Sequence, residues 1–269
     1  MEFFQQVILG ILQGIIEWLP ISSEGVLLLV NSNFFQGTNI DLFIRQALFL
    51  HLGTFFAALV YFRKDVLELF KGALRYNYAS TGTKKTLKFL LVATLISGII
   101  GLTVLSVFDL FTINEIPFTK VMINFVIGFL LLITGSLQLR ASSAGYRKVL
   151  HLNNKDGILL GLMQGLAVFP GLSRSGLTIS GFLFRNFDET VTLRLSFIMS
   201  LPIVLLGNIL LNFSDIVFMK EMFFGFLFAF IFGLLTIQLL MSFSRKVKFG
   251  FFAISFGLLT ILAGVVSLF

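Results

Sequence analysis

The strongest constraint on this chain is a series of apolar segments long enough to cross a bilayer, interrupted by two that are too short. A spanning helix needs about 20 mainly apolar residues, set by a hydrocarbon core roughly 30 Å thick. Six segments reach that length: 42–62, 87–107, 118–138, 190–211, 217–241 and 249–268. Segments 3–19 and 157–169 do not. Each ends in a proline-containing turn, Leu19-Pro20-Ile21 or Phe169-Pro170-Gly171, and then enters serine-rich sequence. Irregular backbone at membrane depth is tolerated only inside protein or along a wet cavity. Both segments are therefore expected to form re-entrant hairpins, over 2–32 and 154–185. Composition agrees, with 57% hydrophobic and 12% charged residues and a mean hydropathy of +0.99. Soluble domains carry about 25% charged residues, so the class expected is all-α and integral to the membrane. The absence of cysteine excludes disulfides, thiolate metal sites and cysteine nucleophiles. Glu2 is the only charge before Glu17, and no Lys or Arg precedes Arg45. The first segment thus lacks the basic start of a signal peptide and is expected to belong to the mature fold.

The net charge of +7, from 20 Lys and Arg against 13 Asp and Glu, is placed where topology requires it. Segment 63–88 carries Arg63, Lys64, Lys71, Arg75, Lys84, Lys85 and Lys88; segment 139–155 carries Arg140, Arg147, Lys148 and Lys155; segment 242–248 carries Arg245, Lys246 and Lys248. The alternate connections, 108–117 and 212–216, contain no Lys or Arg. Six crossings and two hairpins that do not cross put all three basic segments on one side, the cytoplasmic one by the positive-inside rule. Both termini are then expected outside. Nucleic-acid binding is excluded as an explanation of the charge.

The chain also repeats itself. Leu9-Gly10-Ile11-Leu12-Gln13-Gly14 matches Leu160-Gly161-Leu162-Met163-Gln164-Gly165, and each is followed by a proline and a serine turn, Ser22-Ser23-Glu24-Gly25 or Ser173-Arg174-Ser175-Gly176. Arg45 and Arg194 follow in turn. Three crossings separate the hairpins, so the repeats, approximately 1–138 and 139–269 of a single membrane domain, are expected to be inverted. Such folds place a polar site near the midplane at the repeat interface.

Charged groups inside a membrane are costly and point to function. Here they are Glu17, Glu24, Arg174 and, at its edge, Asp156, with Gln13, Ser22, Ser23, Ser173, Ser175 and Thr178 as polar company. Gln13 and Glu17 share a helix face at i, i+4. Glu17 could act as general base, bind a divalent cation or pair with Arg174. The run Pro170-Gly-Leu-Ser173-Arg174-Ser175-Gly-Leu-Thr178 joins a flexible turn, a helix start and a permanently charged guanidinium, a combination suited to phosphate oxygens. One of its hydroxyls could instead serve as nucleophile. His51 reads as a packing residue within a spanning helix and His151 as a solvated loop residue. No paired-histidine zinc spacing and no nucleotide loop are present.

These motifs resemble a known family. Gln13-Gly-Ile-Ile-Glu17-Trp-Leu-Pro20-Ile-Ser22-Ser23-Glu24-Gly25 is similar to the (E/Q)xxxE…PxSS motif of undecaprenyl-diphosphate phosphatases of the bacitracin-resistance type, and 170–178 to their PGxSRSxxT motif. The resemblance runs end to end. It implies six spans and two re-entrant hairpins, and removal of the terminal phosphate of a polyprenyl diphosphate to give the monophosphate that carries cell-envelope sugars. Catalytic roles would fall on Glu17, Ser23 and Arg174. Phosphate or substrate contacts would fall on Gln13, Ser22, Glu24, Ser173, Ser175 and Thr178, with Asp156 in support. Mg²⁺ or Ca²⁺ is expected as cofactor, with Glu17 as a candidate ligand. The partners are the lipid diphosphate and the cell membrane; whether two copies pair as a homodimer is left open. Where the family usually reads S-S-T-G-H, this chain has Glu24 for Thr and Val26 for His, which makes Glu24 the candidate to take over proton handling. The rival reading is a polyprenyl-phosphate flippase that uses the same cavity without hydrolysis.

Overall fold

The computed structural model describes residues 2–35, 40–113, 120–141, 145–212, 220–243 and 249–267. Two pairs of short helices are threaded through a set of long ones. The first pair is α1 (Glu2–Ile16) and α2 (Ser23–Phe34), and the second is α7 (Asn154–Leu166) and α8 (Arg174–Phe184). Around them run α3 (Ile40–Tyr61), α4 (Arg63–Leu74), α5 (Thr81–Ile113), α6 (Lys120–Arg140), α9 (Glu189–Asn212), α10 (Lys220–Phe243) and α11 (Phe249–Val266). No strand occurs among the described residues, and an isolated bridge joins Arg147 to Phe187.

Four helical stretches, Thr81–Val107, Val121–Arg140, Glu189–Leu210 and Glu221–Ser242, are long and apolar enough to cross a membrane. The pair Arg45–Tyr61 and Arg63–Leu74, bent by 84°, makes a fifth when the two are taken together as one broken span. Phe3–Ile16 and Gly250–Val266 are apolar but shorter. Among the described residues, the six long apolar segments expected from sequence are helical over nearly their whole length. The 63–88 region is more structured than a connecting loop: α4 fills its first half, and α5 begins at Thr81, where the Ser80 hydroxyl accepts from the Thr83 amide at 3.1 Å. Most of segment 242–248, with its three cations, lies outside the described residues, as do most of the 212–216 connection and 114–117 of the 108–117 connection.

Lipid is as apolar as leucine, so membrane helices associate through close packing of small residues rather than through expulsion of water. The α1 helix lies along α10, and α7 along α5. A Cβ on Gly10 would stand 2.3 Å from the Gly225 carbonyl oxygen, and one on Gly161 would stand 2.8 Å from that of Ala93. Elsewhere α3 meets α9 and α6 meets α11. One buried cluster gathers Leu9, Leu27, Leu50 and Ile127 around the first short pair; another gathers Phe89, Leu160, Phe182 and Met199 around the second. Both pairs are thereby packed against the long helices, with their turns facing each other.

Candidate active site

Each turn is built by the same device. Pro20 and Pro170 stop the preceding helices, since proline has no N–H to donate, and a serine caps the next. Ser22 accepts from the Gly25 amide at 3.1 Å and Ser173 from the Gly176 amide at 3.0 Å. The turns are also tied to each other. The Gly171 amide donates to Ser22 Oγ at 2.9 Å, and Ser175 Oγ donates to the Leu19 carbonyl at 2.8 Å. Gly171 has φ +109°, and a Cβ there would meet Ile127 Cα at 3.0 Å, so glycine is required twice over. The starts of α2 and α8, whose first amides lack intrahelical partners, are brought together by these ties.

Glu17 lies at the centre. Its Oε2 accepts from Gln13 Nε2 at 2.9 Å and from Ser23 Oγ at 2.7 Å, while Arg174 donates through Nη2 to Oε1. The Gln13 contact follows from the i, i+4 spacing; the Ser23 contact requires the turn; the Arg174 contact joins residues 157 apart in sequence. The Glu17 side chain is only 3% exposed, whereas that of Glu24 is 32% exposed and that of Arg174 17%. Glu24 and Arg174 thus form the open edge of an otherwise buried centre.

His51 belongs to this centre and corrects its reading as packing. Its Nε2 is 3.2 Å from Glu17 Oε2 and 3.7 Å from Glu24 Oε1, and its Nδ1 lies 2.7 Å from the Ala47 carbonyl oxygen. A carbonyl oxygen and a carboxylate both accept, so both ring contacts are hydrogen bonds when both nitrogens carry hydrogen. Val26, at the position of the resembled family's histidine, is buried in the apolar cluster with Leu9 and Ile127. The imidazole is therefore supplied by α3. A lone histidine in an apolar run gave no motif by which sequence could find it. Ser196 was missed for the same reason: its hydroxyl pairs with Thr178 Oγ1 at 2.6 Å.

The remaining expected residues are placed as follows. In this structure the hydroxyls of Ser22, Ser173 and Ser175 bond to backbone or to one another and that of Thr178 to backbone and Ser196, so they shape the turns. Asp156 is not brought to the centre. It sits at the opposite end of α7, about 15 Å along the axis at 1.5 Å per residue, and binds Arg147 at 2.8 Å and Arg185 at 2.7 Å. Burial pushes its carboxyl up, but these guanidinium hydrogen bonds outweigh burial and hold it below the ordinary range. His151 is exposed, as expected.

Both Glu17 oxygens have protein partners in this structure, Gln13 and Ser23 at Oε2 and Arg174 at Oε1. Among the described residues no group of three His, Cys, Asp or Glu side chains is arranged to hold a metal. Hard oxygen donors are nonetheless at hand: Gln13 Oε1 is buried with no partner, and the Glu24 carboxylate is partly open. Oxygen donors of this kind are the type that Mg²⁺ and Ca²⁺ take.

Fold and centre together define a multi-pass membrane protein with a buried acid–hydroxyl–arginine constellation. Residues 6–265 match the family described as Bacitracin resistance protein BacA, and the chain belongs to that family. It is 40% identical to the undecaprenyl-diphosphatase of Methanococcoides burtonii, covering 96% of this chain and 97% of that one. It is 37% identical to the undecaprenyl-diphosphatase of Methanothrix thermoacetophila, over 97% and 96% of the two chains, and 34% identical to that of Haloarcula marismortui, over 96% of each.

Proposed function

We propose that this protein is a polyprenyl-diphosphate phosphatase that hydrolyses the terminal phosphate of undecaprenyl diphosphate and leaves the lipid-carrier monophosphate. The observation that carries this reading is Glu17, joined at one oxygen to Ser23 and at the other to Arg174 from the far half of the chain. A hydroxyl with an adjacent carboxylate acceptor is the arrangement of an activated nucleophile. A carrier that only moves its ligand has no use for it, and relatives named as diphosphatases favour the same side over a flippase.

On arrival of the diphosphate, Arg174 transfers its hydrogen bond from Glu17 to the phosphate oxygens. First-turn amides of α2 and α8 add donors, and two helix N-termini favour the negative charge. Glu17 then takes the Ser23 proton. Ser23 Oγ forms a bond to the terminal phosphorus, the bond to the bridging oxygen breaks, and the lipid monophosphate departs with the electron pair. Water hydrolyses the resulting phosphoserine to inorganic phosphate. His51 holds Glu17 in position through Nε2. Glu24 with Gln13 would hold Mg²⁺ or Ca²⁺, whose charge neutralises the diphosphate when bound. Most of the rate enhancement comes from positioning and charge stabilisation, as in phosphoryl transfer generally.

The inverted repeat, the six spans with two re-entrant hairpins and the cell-membrane orientation are part of the same reading. Supporting the repeat is the exchange of partners between halves, α1 on α10 and α7 on α5, together with the matched serine caps. Supporting the orientation is the meeting of two basic segments, where Lys85 donates to the Leu150 carbonyl; the positive-inside rule makes that end cytoplasmic. One chain encloses one site, so the reading needs no homodimer.

The test is inorganic phosphate release from a polyprenyl diphosphate in detergent, with and without EDTA, for wild type, Glu17→Gln and Arg174→Ala. Removing the base is expected to lower release by about 10²–10⁴-fold, and removing the arginine by about 10²–10³-fold. Folded wild type that binds the diphosphate yet releases no phosphate would hand the site to the flippase reading.

A further inference from the structure

The Asp156 network, left over from the active site, frames a second polar feature. A cavity of about 720 Å³ opens at the basic end of α5 and α7, with Lys85, Lys88, Lys155 and Arg185 among its lining and no carboxylate among it. Asp156 fixes Arg185 through Nε at 2.7 Å, and Lys85 is held by the Leu150 carbonyl. Among the described residues Lys88 and Lys155 form no ion pair, and both are exposed. The Asp156 charge is shared between two arginines. Cations from α5, α7 and the end of α8 therefore converge without a matching anion, an arrangement that repels itself until an anion enters.

The floor of the cavity is apolar, formed by Phe89 and Leu152. Beyond its mouth the same helix stripes become exposed hydrocarbon. Leu91 and Leu95 follow Lys88 on α5 at i+3 and i+7, and Ile158 and Leu162 follow Lys155 on α7 in the same register; all four are exposed. The two helices lie side by side. A cationic mouth continuous with an apolar seam matches a phosphate head with a hydrocarbon tail. Basic pockets between membrane helices are a recurring seat for anionic headgroups.

We propose that this cavity is a second, non-catalytic site that binds the phosphate headgroup of an anionic membrane lipid, with the tail along the α5–α7 seam. It is separate from the Glu17 centre by the length of α7 and does not depend on how that centre works. Free inorganic phosphate shares the headgroup chemistry but leaves the seam unused.

The test measures unfolding temperature of the full chain in detergent with added phosphatidylglycerol, phosphatidylcholine or inorganic phosphate. Wild type is compared with Lys88→Gln/Lys155→Gln and with a charge-matched control on α4, Lys64→Gln/Lys71→Gln. Phosphatidylglycerol is expected to raise Tm by roughly 2–4 °C above phosphatidylcholine in wild type and control, the shift a modest excess of bound ligand gives in a chain of this size. Less than half of that rise should remain in the cavity variant, whose phosphate release without added lipid matches wild type. An equal rise in both double variants would place the lipid elsewhere and overturn the proposal. So would inorganic phosphate reproducing the full rise, which would make the cavity a free-anion site.

Discussion

The turn between α1 and α2 and the turn between α7 and α8 are built alike and do different work. Both follow a helix carrying Gly-Gln-Gly spacing, both contain a proline, and both end on a serine cap. In register, Glu17 corresponds to Val168, Ser23 to Arg174 and Glu24 to Ser175. The first turn thus contributes the acid and the hydroxyl, and the second contributes the cation. Even the shared glutamine diverges: Gln13 bonds to Glu17, whereas Gln164 bonds to Ser97 and the Met199 carbonyl. The difference teaches that the repeat supplies two facing frames and that a handful of side chains turns the pair into one site. Neither half is a site alone, because the Glu17–Arg174 contact exists only between them.

The sharpest break of this comparison is a pair of serine substitutions, one in each turn. Ser23→Ala is expected to lower phosphate release by roughly 10³-fold or more and to abolish any phosphoserine signal. Ser175→Ala removes the tie to the Leu19 carbonyl and the contact with Ser173 Oγ, each at about 1 kcal/mol of stability, so release falls little. Equal losses in the two variants would mean that the turns do not divide the work. A radiolabelled-substrate trap and a release assay separate the outcomes.

Next in size is His51, which only the first half engages. A hydrogen bond to a charged group is worth about 1.5–3 kcal/mol, so His51→Ala should lower kcat by roughly 10–100-fold. His51→Gln, which keeps an N–H donor near Glu17, should recover most of it while KM stays put. A glutamine variant as impaired as the alanine one would remove the positioning role.

Smaller effects come from the glycine notches. Overpacking costs typically about 1–3 kcal/mol. Gly10→Ala should lie above Gly161→Ala, because the nearest backbone oxygen is 2.3 Å from the new Cβ in one case and 2.8 Å in the other. Thermal unfolding in detergent ranks them, and a reversed order would show that the second half is the more tightly notched.

Asp156 belongs to the second half only, and its removal gives the smallest change in activity. Asp156→Asn should cost about 1–3 kcal/mol at neutral pH by leaving Arg147 and Arg185 short of a charged acceptor. Its folded carboxyl is held below the ordinary 3.8. The contribution is therefore present in full above that value and fades as pH falls through the lower folded one. The stability gap between variant and wild type should stay constant from neutral pH down to about 4 and narrow below it; a gap that narrows well above 4 would contradict the hydrogen-bonded geometry.

Much of this was legible in sequence because the membrane enforces simple rules. Span length, proline at the turns and serine before each new helix are local properties, and backbone satisfaction in lipid leaves few alternatives. The pairing of Gln13 with Glu17 follows from helical spacing alone. The helical content of 63–88 was not legible, since charges that mark a loop side also suit an amphipathic helix such as α4.

Sequence by itself thus determined an all-helical membrane chain, two interrupted short segments, and the carboxylate and guanidinium that had to find partners, because each of these is fixed by solvation cost or by neighbours within one helical turn. Tertiary structure alone decided which partners they found. It brought Arg174 to Glu17 across 157 residues, turned His51 from an apolar helix toward the same carboxylate, and placed Asp156 at the far end of α7 among arginines. Those outcomes depend on how helices distant in sequence are notched together, and no local spacing encodes that.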